Sequence, residues 1–174
     1  MKTNLKAIYD HPGMQPLYEE ISRQDHRTLV LWALDTAAEI LEIFNMTFPS
    51  DPRPRQALDA AVTWSRGEIK MPVAKRAAKE THQAATDAKA DPTMAETKKA
   101  AATAVAHAMG QAIGVVHVAT HSTAFAAYVV QALIFANPER NSEEALGEAV
   151  EHLSANLKKF ASTEKDNRPW AAFL

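Results

Sequence analysis

The sequence predicts an all-α fold, a compact single-domain bundle of about six to seven helices. Three observations carry that expectation. Alanine and other strong helix formers dominate the chain. Strand signals are almost absent, with no Asn-Gly hairpin and no sustained alternation of apolar and polar residues. Proline and glycine fall at Pro12-Gly13, Pro49 to Pro54, Gly67 to Pro72, Asp91-Pro92 and Asn137-Pro138, leaving helix-length segments between the breaks.

The first segment, about Pro16 to Arg23, is short and amphipathic. The second starts after Asp25, a good N-cap, and runs to about Phe48, with Leu31, Leu34, Ala38 and Leu41 as its expected core stripe and Asp35, Glu39 and Glu42 on the other side. The third opens at "SDPRPRQALD". There Asp51 can accept free backbone N–H groups, Pro52 fits the first turn, and Gly67 is placed to end the helix. The fourth, from Met71-Pro72 to Lys89, is charged and thin in large apolar residues, so it should lie outermost. Asp91-Pro92 repeats the cap pattern and opens a long alanine-rich segment, which Gly110 and Gly114 are expected to kink or break. A sixth, buried helix then runs to Asn137-Pro138. A last amphipathic helix, about Ser142 to Ser162, presents Leu146, Val150, Leu153, Leu157 and Phe160 at helical spacing.

The 174 residues suit one domain over 1–174, with a core at 25–162 and a C-terminal tail, 163–174, whose apolar "RPWAAFL" should dock. Hydrophobic residues make up 47% and charged residues 23%, which argues against disorder. A formal charge of −2, without a basic stripe, gives no support for nucleic-acid binding. The absence of cysteine excludes disulfides, cysteine-ligated zinc and a thiol nucleophile. Lys2 and Lys6 precede no apolar core, so no secretory signal is expected, and the run Ala124 to Ala136 is too short to span a bilayer. A cytoplasmic location, with no membrane partner, follows as the expectation.

The stretch "GVVHVATHSTAFAAYVVQAL" raises the chemical question. In the sixth helix His117 and His121, four residues apart, are expected to place both rings on one face, the spacing of two ligands to one metal. A zincin helix would place glutamate after the first histidine, and Val118 stands there instead. His107 lies about 15 Å upstream along a straight helix, so only a chain reversal would let it join them. The leading reading is structural, with neutral core histidines bonded to buried carboxylates or carbonyls; a metal site of His107, His117 and His121 is the alternative. Asp35, preceded by "LVLWAL", is expected to be partly covered and to need Arg53, Arg55, Arg66 or a histidine as partner. Arg55 could also pair with Asp59 one turn on. Trp32 and Trp64 read as core. No serine-nucleophile, Walker or dinucleotide motif is present, so no cofactor is implied.

Together "LWALDTAAEILEIF", "DPRPRQALDAAVTWSRGEIKM" and "HAMGQAIGVVHVATHSTAFAAYVVQAL" resemble the bacterial putative immunity protein family, with its immunity-type-five-like helical domain. The resemblance covers about Leu29 to Leu133. It implies an all-α protein that neutralises a toxin by binding it, and the leading reading is accordingly non-enzymatic. The positions matching the pattern are Trp32, Asp35, Asp51, Arg53, Arg55, Trp64, Arg66, Glu68, His117 and His121, which could form one buried polar network. The partner surface would then be an exposed apolar patch with a polar rim, away from the histidines. A helical enzyme binding a small molecule or metal through His107, His117, His121 and Asp35 is the second reading. A homodimer packed through the sixth helix is a third.

Overall fold

The computed structural model describes residues 1–162 and 168–174. Among the described residues there are eight α-helices and no strand: α1 Leu5–Tyr9, α2 Gln15–Ser22, α3 His26–Thr47, α4 Arg53–Ser65, α5 Met71–Ala90, α6 Glu96–His117, α7 His121–Ala136 and α8 Ser142–Ser162. A 3-10 turn at Pro12–Met14 links α1 to α2. The all-helical class agrees with the sequence; the number of helices exceeds the expected six to seven. The addition is α1, five residues whose periodicity is too short to read although Ile8 is fully buried, started by the Asn4 side chain accepting the Ala7 N–H at 2.9 Å. No described helix is long and apolar enough to cross a membrane.

At the centre lies α6, packed against α3, α4, α5 and α7. Its buried residues are alanines, valines, Met109, Gly110 and Ile113, and the buried side of α5 is Ala74, Thr81, Ala84, Ala85 and Ala88. Small side chains let the two axes approach closely, and Thr81 donates its hydroxyl to the Ala106 carbonyl across the gap at 3.2 Å. The large side chains sit on α3. Trp32, fully buried, donates Nε1–H to the Leu153 carbonyl of α8 at 3.1 Å and meets Phe125 of α7 edge-on at 5.4 Å. The stripe of α3 differs from the expected one. Leu34 and Leu41 are buried, but Leu31 is only partly covered and Ala38 is exposed, because Trp32, Ala33, Thr36, Ala37 and Ile40 turn a broader face inward.

The expected interruption at Gly110 or Gly114 does not occur. α6 runs unbroken to His117, and the chain turns instead at Val118, whose extended backbone (φ −145°, ψ 125°) ends the helix. Each glycine seats an imidazole. A Cβ on Gly110 would lie 2.6 Å from the His82 ring, and one on Gly114 would lie 2.7 Å from His121.

The ends of α4 follow the capping chemistry with small shifts. Asp51 accepts the Arg53 N–H at 3.0 Å, although Pro52 is the cap residue and Pro54 the proline inside the first turn. At the other end Gly67 takes φ +75°. Its N–H bonds the Trp64 carbonyl at 2.9 Å and the Glu68 N–H bonds Thr63 at 3.0 Å, a Schellman ending. Asp91 does not cap α6; it closes a turn through the Thr93 N–H and hydroxyl, and α6 starts at Glu96.

Candidate functional site

The Schellman ending of α4 carries the chain away from the helix axis and opens a groove of about 530 Å³. Trp64, Ile69 and Met71 line it from α4 and the start of α5, His117 from the end of α6, His26 from the start of α3, and Phe173 from the last described segment. Trp64 is buried at its base yet carries two ring neighbours, His117 stacked at 5.7 Å and 25°, and Phe173 at 5.4 Å. Phe173 is half exposed, and Met71 and Val118 also present apolar surface to water nearby in the chain. His26 donates Nε2–H to the Val115 carbonyl at 2.6 Å, which satisfies an end carbonyl of α6 and fixes that imidazole. Arg66, Glu68 and Lys70 supply charge along the α4–α5 connection, with Arg66 and Glu68 separated by 4.0 Å.

The segment after Pro169 forms one wall. Ala171 donates its N–H to the Ser65 carbonyl at 2.8 Å, and Arg27 donates Nε–H to the Leu174 carbonyl at 2.9 Å. The Arg27 guanidinium also lies 5.2 Å from the Trp170 ring centre. Positions 163–167, the first part of the tail expected to dock, lie outside the described residues.

The residues singled out by sequence do not form one buried network. His117 and His121 are exposed rather than buried, because the turn at Val118 places them on different helices and removes the shared face that their spacing would give on one continuous helix. His117 joins Trp64, whereas His121 pairs with Gln111 across the turn, Nδ1 to Oε1 at 2.8 Å. Asp35 is also exposed and accepts from the Asn156 amide at 3.2 Å, not from an arginine or histidine. Arg55 approaches Glu42 at 3.8 Å. Asp51 and Arg53 do form a tight unit. The Arg53 guanidinium bonds the Asp51 carboxylate at 2.6 Å and reaches Asp87 of α5 at 2.7 Å. Those hydrogen bonds hold the Asp51 carboxyl below its usual range and raise the Arg53 guanidinium above its own.

The imidazole pair that sequence reading missed is His82 with His107. Their Nδ1 atoms lie 3.0 Å apart, and the His107 ring also lies against Tyr128, tilted by 31° at 5.1 Å. Both rings are half-buried between α5, α6 and α7. Burial is the first cause that pushes His107 down to about 4, helped by the charges of His82 and Lys89; burial also lowers His82. Twenty-five positions separate the two, so periodicity could not pair them. The available signal was Gly110, a helix-interior glycine that clears space for the His82 ring. His107 is thus engaged on α5 rather than with His117 and His121, so those three do not converge on one ion. Among the described residues no group of three or more histidine, aspartate or glutamate side chains is arranged to hold a metal.

A family model described as "Imm-5 like putative immunity protein" matches residues 19–156. Neither a curated protein nor a solved structure matches the chain.

Proposed function

The chain belongs to the Imm-5 like putative immunity protein family, and from that premise we propose that it binds a protein toxin in the bacterial cytoplasm and neutralises it without catalysing a reaction. The family match across 19–156 is the observation that carries the reading. The groove at Trp64 supports it, since aromatic and methionine side chains inside a charged rim have the composition of a binding hot spot. The sequence placed such a patch away from the histidines; the exposed apolar side chains Met71, Val118 and Phe173 instead accompany His117.

The test starts with the affinity-tagged chain recovered from its native cell. A protein that co-elutes in stoichiometric amount should arrest growth when expressed alone, and co-expression of this chain should restore growth. Met71→Asp should weaken capture at least tenfold while leaving the helical circular dichroism intact. Failure of every co-eluting protein to arrest growth, or arrest that this chain does not relieve, removes the immunity reading.

A further inference from the structure

One wall of the groove is a piece of this chain that ends in a tight turn, the Leu174 N–H bonding the Ala171 carbonyl at 3.0 Å, and its contacts show what chemistry the neighbouring walls accept. The Ser65 carbonyl, near the end of α4, accepts the Ala171 N–H, and the Arg27 guanidinium donates its Nε–H to the Leu174 carbonyl. Both contacts address main-chain atoms, so they do not depend on which side chains the segment carries. The aromatic wall does the selecting: Phe173 rests on Trp64, and Trp170 lies beside Arg27. Gly67 completes the seat. Its left-handed φ of +75° ends α4, and a Cβ there would stand 3.3 Å from the Ala171 Cα. The wall residues His26, Trp64, Ile69, Met71 and His117 lie inside the family-matched span 19–156, whereas Arg168–Leu174 lies outside it.

We infer that the groove is a peptide-docking site, lined along one side by the chain's own Arg168–Leu174, and that the partner protein enters it with an apolar, turn-forming segment bearing an aromatic side chain, displacing that piece. The inference rests on the proposed function only for the existence of a protein partner. The covalently attached segment acts as a resident competitor at an effective concentration in roughly the millimolar range, so a partner segment must outcompete it. A groove of about 530 Å³ beside the half-exposed Phe173 leaves room for that exchange to begin without unfolding a helix.

The probe is a fluorescently labelled peptide of sequence RPWAAFL, titrated by anisotropy into the 174-residue chain and into its Ala171→Pro variant, which lacks the N–H that Ser65 receives. The variant should bind the peptide at least tenfold more tightly than the parent, and a peptide with tryptophan and phenylalanine replaced by alanine should not bind. If Ala171→Pro loses its helical signal, Phe173→Ala takes its place, because truncating a half-exposed ring leaves the bundle untouched. A folded variant that binds RPWAAFL no more tightly than the parent overturns the inference. So does a variant that sediments as a dimer, which would give the groove to a second copy. Growth rescue needs no peptide and the titration needs no toxin, so failure of the immunity reading and failure of the docking site are told apart.

Discussion

Placing a proton on the His82–His107 pair puts charge into a half-buried seat between α5 and α6, and desolvation opposes it. In the unfolded chain a histidine titrates near its ordinary 6.5; in the fold His107 is held at about 4. Between those values the unfolded state binds more protons, so stability is fully present above about 6.5 and is lost as pH falls toward about 4. Discounted for partial exposure, the loss is about 1–2 kcal/mol. Thermal melts at pH 7.0 and 4.5 should show it, and His107→Gln should flatten the difference; an equal slope in that variant would assign the acid sensitivity elsewhere. Among single residues, the sequence made Trp32 and Trp64 legible as buried, because large aromatics inside amphipathic periods rarely face water. His117 and His121 misled, since i, i+4 spacing implies a shared face only while one helix continues, and Val118 ends it between them.

Helices α2 to α8 were readable because each has periodicity long enough to average out individual residues and a Pro or Gly near a boundary. What the sequence could not supply was the meaning of glycine inside α6. Gly110 and Gly114 looked like breakers, yet the helix passes through both, and the missing Cβ atoms admit His82 and His121. The two differ in what a methyl would meet. At Gly110 it meets the outer edge of the His82 ring, which can swing aside; at Gly114 it meets the Cγ and Cβ of His121, near the backbone of α7. Gly114→Ala should therefore cost about 1–3 kcal/mol by overpacking, despite alanine's better helix propensity. Urea denaturation will measure it, and Gly114→Ala with His121→Ala should recover most of the loss. If the single variant is as stable as the parent, the ring at 121 moves freely and the close approach has no structural role.

For the molecule as a whole, the class was legible because alanine-rich helix formers exclude a sheet, while the groove was not. Its walls come from α3, α4, the start of α5, α6 and positions beyond 170, and no local pattern records that convergence. The three stretches that carry the family resemblance did point to the neighbourhood, since Trp64, Ile69, Met71 and His117 all lie within them.

The alanine seam between α5 and α6 has a consequence for how the molecule opens. Close approach of small side chains yields many weak dispersion contacts but little hydrocarbon removed from water, whereas α3 anchors itself with Trp32 and Phe44. The order of local unfolding should follow: amide hydrogens of Thr81 to Ala88 should exchange with deuterium sooner than those of Leu29 to Leu41, as one cooperative unit. Equal protection of the two helices would mean that closeness alone holds a helix as firmly as bulk does.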